Sequence, residues 1–279
     1  MAKKTKIGII GYGNMGSAIA KGIASKYEVF IFDKEAGKTK NIAKVKVAKS
    51  IFSLVDNVDA IILAVKPQDF DAVLDEIKNS IDKKLVISIA AGKSTKDMEG
   101  VLGKVRVIRV MPNLPAKIGK GMSCLCKGKF ATKADLIFAK KIFNFIGKTL
   151  ILKERMIDAA TASSGSGPGF ESQIVSGQTL DEARRIAQEE LMPLLRDTCI
   201  RMGFSHDEAQ LLATATTTGT ITMWNTIMPE DLVRQVASKG GTTEAGLKKL
   251  KGKTLQNRKK FFPDAIWAAL KRAKELSRR

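Results

Sequence analysis

The chain has 279 residues, enough for two domains, with 44% hydrophobic and 27% charged residues and no apolar run long enough to cross a bilayer. Its single histidine, His206, excludes a multi-histidine metal site and any catalytic triad that needs a histidine elsewhere, and no metal is expected. A net charge of +20 would suit nucleic acid, but the lysines are scattered over the whole chain and only 6% of residues are aromatic, and small anionic ligands such as dinucleotides or carboxylates explain the charge equally well.

The amino end, MAKKTKIGII, is basic, but its apolar stretch is short and meets a glycine turn with no small-residue cleavage pattern, so a cytoplasmic protein is expected. Residues 6–10 read as a buried strand. They run into G-x-G-x-x-G at Gly11, Gly13 and Gly16, and then into a helix through about Ser25 with Met15, Ile19 and Ile23 at helical spacing. Between strand and helix the three glycines have a mechanical purpose: Gly11 makes the tight turn, Gly13 lets a pyrophosphate approach the backbone, and Gly16 allows close packing of helix on strand. The free amides at the helix start face the phosphates. Gly11, Gly13, Asn14, Met15 and Gly16 are therefore candidate cofactor-binding residues.

Asp33 closes a second strand, EVFIFD, where an acid accepts hydrogen bonds from the adenosine ribose and repels a 2′-phosphate. Lys34 and Lys38 pull the other way, since either could pair with a phosphate, so the cofactor reads as NAD(P)H, leaning to NADH. Further strands at 60–65, 85–90, 105–110 and 121–126, mostly separated by helical patterns such as 68–79 and 94–102, imply an α/β domain with a doubly wound parallel sheet covered on both faces. No histidine or cysteine constellation backs the glycine loop, which points to hydride transfer with the protein supplying position. Cys124, Cys126 and Cys199 lack disulfide-like or zinc-ligand spacing and read as reduced, buried thiols.

From about Glu154 strand-like runs give way to helical periodicity, placing a dinucleotide-binding domain at 1–153 and an all-α domain at 154–279. Ala183, Ala187, Leu191, Leu194, Leu195, Thr198 and Met202 share one helical face; Thr179 and Glu182 match a capping box; Pro193 should kink that helix or begin a new one. His206, in SHDEA, reads as a solvated residue in the first turn of a helix.

Six stretches together resemble the pyrroline-5-carboxylate reductase family: IGIIGYGNMGSAIAKG (7–22), AIILAVKPQ (60–68), LVISIAAG (85–92), RVMPNLPAKIGKGM (109–122), SSGSGPGF (163–170) and SKGGTTEAGL (238–247). The resemblance implies a Rossmann-type domain followed by a helical dimerisation domain, and reduction of the cyclic imine 1-pyrroline-5-carboxylate to proline by hydride from NAD(P)H. It implies a homo-oligomer, a dimer or an assembly of dimers, with the site completed across subunits. Ala64, Val65, Lys66 and Pro67 would edge the nicotinamide pocket, and Asn113 would lie near ring and ribose. SKGGTT would bind the substrate carboxylate through backbone N–H groups and the hydroxyls of Ser238, Thr242 and Thr243, with Gly240 and Gly241 permitting the turn. Thr242 is the catalytic candidate, bonding near the ring nitrogen. An iminium is already a good hydride acceptor, so alignment replaces a general acid.

The chain departs from the family after SGSGP, where one apolar helix is expected and a stretch nearly twice as long stands instead. Glu171, Ser172 and Gln173 replace apolar residues there, through an inserted helix on the outside, a rebuilt domain interface or a polar substrate pocket. In the substrate turn Lys239 replaces a proline and Glu244 an apolar residue; the cation would tighten anion binding and the carboxylate oppose it. Threonines in the run 214–222 could bond carbonyls one turn back or line a subunit interface. Two alternatives stand beside the main reading: a reductase of another cyclic imine carboxylate, and a non-catalytic dinucleotide-binding paralogue.

Overall fold

The computed structural model describes residues 4–40, 42–81 and 83–278. Eight strands among them, β1 (Lys6–Ile10), β2 (Glu28–Phe32), β3 (Lys46–Val47), β4 (Ala60–Leu63), β5 (Leu85–Ser88), β6 (Arg106–Pro112), β7 (Gly121–Lys127) and β8 (Gly147–Ile151), form one sheet in the order β3-β2-β1-β4-β5-β6-β7-β8. Five helices cover it: α1 (Asn14–Ile23), α2 (Ile51–Asp56), α3 (Pro67–Ile77), α4 (Thr95–Leu102) and α5 (Lys133–Phe143).

The continuous apolar runs divide by alternation between two buried faces. Ile7, Ile9, Ile31, Ile62 and Ile87 pack on one side with Ile19, Ile23 and Phe143; Ile10, Ile61, Leu63 and Val86 pack on the other with Leu54, Phe70 and Met98. Each such side chain contributes about 1.5–3 kcal/mol by leaving water. The register sets Ile9 between Ile31 and Ile62, so β1 lies between β2 and β4 and the chain crosses over on both sides of it. Ligands of such sheets sit outside the carboxyl ends at that switch point.

The sheet is not parallel throughout: β7 runs antiparallel to β6, and β8 parallel to β7. The link from β6 to β7 holds one tight 3₁₀ turn, Leu114–Ile118, too short to return the chain to the far end of the sheet. β3 and β8 were not expected; a two-residue edge strand and GKTLI, with its glycine and lysine, carry too little apolar signal. Several strands also stop short of their apolar runs, β4 at Leu63 and β5 at Ser88, leaving Ala64–Lys66 free to form a wall.

Beyond Ile151 the described chain is helical: α6 (Ile157–Ala160), α7 (Gly167–Val175), α8 (Leu180–Ile186), α9 (Met192–Arg201), α10 (His206–Met223), α11 (Pro229–Val236), α12 (Thr242–Leu247), α13 (Leu255–Lys260) and α14 (Phe262–Ser277). Pro193 stands in the first turn of α9, one of the two outcomes expected of it. A π-helical stretch, Ala187–Leu191, widens the turn ahead of it and α8 continues into α9, because a wider turn absorbs the missing N–H and the ring clash. The capping box is half made: the Thr179 hydroxyl accepts from the Glu182 N–H, while the Glu182 carboxylate pairs with Arg185 at 2.8 Å. His206 is exposed in the first turn of α10, and the three cysteines are free and buried.

The extra stretch is not an external addition. Ala183, Ile186, Ala187, Leu191, Leu195 and Cys199 are fully buried in the core of the helical domain. Glu171 and Ser172 are buried there too, accepting hydrogen bonds from Thr217 and from the Trp224 indole N–H respectively. Thr220 and Thr222 bond carbonyls one turn back, at 2.8 and 2.7 Å. A partly buried ionic cluster joins the two parts of the chain: Arg109 on β6, 3% exposed, stands 3.3 Å from Asp158 and 3.6 Å from Glu154. Glu154 accepts from Thr95 at the start of α4, and Asp158 from Ser277 at the end of α14.

Candidate functional site

The glycine loop has the shape its spacing requires. Gly11 has φ +98°, and a side-chain carbon there would lie 2.6 Å from the Ala64 carbonyl oxygen; one on Gly16 would lie 2.0 Å from the Gly11 carbonyl oxygen. Turn, β4 end and helix are therefore in backbone contact, which only glycine permits. A side-chain carbon on Gly13 would meet nothing within 4 Å, so the backbone at the start of α1 faces open space of the kind a pyrophosphate needs.

Asp33 lies just past β2, and its carboxylate ties the loop down: one oxygen accepts from the Tyr12 N–H at 2.6 Å, the other from the Glu35 N–H at 2.9 Å. Each oxygen keeps acceptor capacity for a hydroxyl donor. Lys38 pairs with Glu35 at 2.6 Å and Lys34 with Asp69 at 2.7 Å, so both lysines already hold carboxylates. One cleft brings together Gly11, Gly13, Asp33, Lys34, Lys38, Ala64, Val65 and Lys66. Lys66 caps α3, with Pro67 following it in the first turn, and its side chain is exposed. Asn14, Met15 and Gly16 form the first turn of α1 beside the cleft.

Asn113 is placed below this surface. It is 2% exposed; its Nδ2 donates to the Ser164 carbonyl and hydroxyl, each at 3.3 Å, and its Oδ1 accepts from the Met122 N–H at 2.7 Å. Its side chain thus fixes the end of β6 against the SGSGP stretch and has no spare donor aimed at a ring. Thr216 donates to the same Ser164 hydroxyl at 2.9 Å, so α10 is tied in as well.

The SGSGP stretch widens into a π-helical turn, Thr161–Gly165, before α7. Its Ser166, 1% exposed, receives the Thr243 hydroxyl at 3.0 Å and shares a 3.1 Å hydrogen bond with Thr242. This residue was missed as a site residue; the signal available was the run of small residues at 163–169, which allows close approach. A side-chain carbon on Gly169 would lie 2.9 Å from Thr243 Cγ2.

The turn ahead of Thr242 is exposed at Ser238, Lys239 and Gly240. Gly240 has φ +71°, and the Gly241 N–H bonds the Ser238 carbonyl at 3.0 Å. Arg272 of α14 donates to the Gly240 carbonyl at 2.9 Å, and Leu276, one turn on, packs against Gly92 after β5. Lys117 reaches Asn14 at 3.5 Å and Gln235, at the end of α11, at 3.2 Å. Lys117 thus links the start of α1 to the end of α11 within one chain. Glu171 and Ser172 stand in the helical core, and the polar substrate pocket envisaged for them is not where they are found.

A family model described as "NADP oxidoreductase coenzyme F420-dependent" matches residues 6–92, and one described as "Pyrroline-5-carboxylate reductase dimerisation" matches residues 190–276. The chain is 33% identical to the pyrroline-5-carboxylate reductase of Methanosarcina acetivorans, with 98% of each chain covered. It is also 33% identical to that of Arabidopsis thaliana, over 99% of this chain and 97% of the relative. Two solved structures are similar over their whole length: pyrroline carboxylate reductase of Plasmodium falciparum with NADP bound (TM-score 0.63, 28% identity, 98% of each chain) and pyrroline-5-carboxylate reductase of Coxiella burnetii (TM-score 0.65, 28% identity, 99% of each chain).

Proposed function

This chain belongs to the pyrroline-5-carboxylate reductase family, and from that membership we propose that it reduces 1-pyrroline-5-carboxylate to proline with NADH or NADPH as the hydride source. The observation that carries the assignment of residues is the hydroxyl pair Ser166–Thr242, which joins the predicted substrate turn to the stretch that also holds Asn113 at the end of β6.

A reduced nicotinamide, when bound, supplies the hydride. The chain's own residues do the rest. The open backbone at Gly13 to Met15 meets the pyrophosphate, the Asp33 carboxylate accepts from the ribose hydroxyls, and Ala64–Pro67 form a fixed wall. The hydrogen bond between Ser166 and Thr242 runs in either direction. With its proton on Ser166, Thr242 accepts from the N–H of a protonated imine; with a proton from Ser166, it donates to an unprotonated ring nitrogen. One hydroxyl thus serves both protonation states, and holding the two reactants in register supplies several kcal/mol of the barrier reduction.

We read NADH as the preferred cofactor: Asp33 repels a 2′-phosphate, and Lys34 and Lys38 are both committed to carboxylates. The matched dimerisation model supports a homodimer or an assembly of dimers, and we read the seam between domains near residue 153, where the last strand gives way to helices. Among the described residues no helix is long and apolar enough to cross a membrane; the three free, buried thiols support a cytoplasmic setting. The test is spectrophotometric. Supplying 1-pyrroline-5-carboxylate with each reduced nicotinamide is expected to oxidise the nicotinamide with equal formation of proline; absence of turnover with both rejects the reading.

A further inference from the structure

The substrate turn is already in contact with a carboxylate of its own. The Gly240 N–H donates to Glu244 Oε2 at 2.8 Å, and the Gly241 N–H is engaged by the Ser238 carbonyl. Glu244 is half-buried and forms no ion pair among the described residues; Arg272, the cation that touches this turn, spends its guanidinium on the Gly240 carbonyl and on Glu275. A single backbone N–H therefore holds this anion, at the position where the family reading puts the anionic end of the substrate.

We propose that Glu244 is an internal stand-in for the substrate carboxylate and thereby sets how strongly this enzyme holds carboxylated ligands; the inference rests on the reading of 238–243 as the substrate turn. A carboxylated ligand must either displace Glu244 from the Gly240 N–H or forgo that donor. Once displaced, Glu244 stays within one helical turn and repels the incoming like charge. Both effects act on ligands bearing a carboxylate, and neither acts on the bare ring. Lys239, exposed beside Gly240, offsets part of the repulsion. Substrate and product both carry the carboxylate, so the same device that weakens binding speeds the departure of proline.

The experiment compares wild type, Glu244→Leu and Glu244→Gln on 1-pyrroline-5-carboxylate and on 1-pyrroline, the same ring without the carboxylate. Glu244→Leu is expected to lower KM for the carboxylated ring roughly tenfold and leave that for 1-pyrroline unchanged, with Glu244→Gln between, since the amide keeps the hydrogen bond but not the charge. Calorimetric titration with proline and with pyrrolidine reads the same ratio without turnover. A ratio unchanged in both variants, or an equal rise in both constants, overturns the proposal, because Glu244 would then merely brace the turn. Failure of the wild type to oxidise either nicotinamide with 1-pyrroline-5-carboxylate overturns the functional reading instead, and the proline-to-pyrrolidine ratio still decides the role of Glu244.

Discussion

The Ser166 hydroxyl oxygen stands 3.1 Å from that of Thr242, a contact spanning 76 residues of sequence. Ser166 also accepts from Thr243, which is 4% exposed, so Ser166→Ala strands a buried hydroxyl and is expected to cost about 1–2 kcal/mol. Thr242→Val, which removes the hydroxyl bonded to Ser166, is expected to lower kcat/KM about a hundredfold, with Thr242→Ser restoring most of it. Steady-state kinetics beside thermal melting separates the two effects.

The glycine loop offers a contrast between two equal changes. Gly16→Ala drives a carbon against the Gly11 carbonyl and should destabilise the fold by about 2–4 kcal/mol. Gly13→Ala meets nothing in the protein and should leave the melting temperature unchanged while weakening nicotinamide binding. Calorimetry with NADH and with NADPH on both variants checks this; a Gly13→Ala protein that binds as wild type contradicts the placement of the pyrophosphate.

Asp33→Ser removes the charge opposing a 2′-phosphate and frees the loop that Asp33 holds through the Tyr12 and Glu35 amides. The ratio of kcat/KM for NADPH over NADH is expected to rise by about tenfold, equivalent to about 1.4 kcal/mol. An unchanged ratio assigns the preference to other residues.

Glu171 makes stability depend on pH. Burial pushes its carboxyl from 4.5 up to about 7, opposed by the hydrogen bond from Thr217. The folded state thus favours the protonated form. Its contribution is fully present below about pH 4.5, falls as the pH rises to about 7 and is flat beyond, a span of about 3 kcal/mol. Glu171→Gln keeps the shape and removes the titration, so it should gain on wild type between about pH 5 and pH 7 and hold level above that. Urea unfolding of both proteins across that range tests it; parallel curves would show that Glu171 does not titrate there.

The glycine loop and Asp33 were legible because their spacing encodes a local geometry, a strand, a turn and a helix start within some 20 residues. The buried polar pairs were not. Glu171 and Ser172 look like misfits in an apolar helix until Thr217 and Trp224, 46 and 52 positions away, are set against them. Strand direction was hidden for a related reason: whether β7 runs with or against β6 depends on how far the link between them reaches, which apolar runs do not record. Glu244 stood out as a departure in the sequence, but its partner Gly240 emerged only once the turn was folded.

The last helix is a strut that both halves of the molecule lean on. Arg272 grips the turn, Leu276 sits against Gly92 and Ser277 completes the acid cluster around Arg109. Proteolytic trimming from the carboxyl end, or a bulky purification handle fused there, would release the Gly240 turn and loosen the Arg109 cluster together.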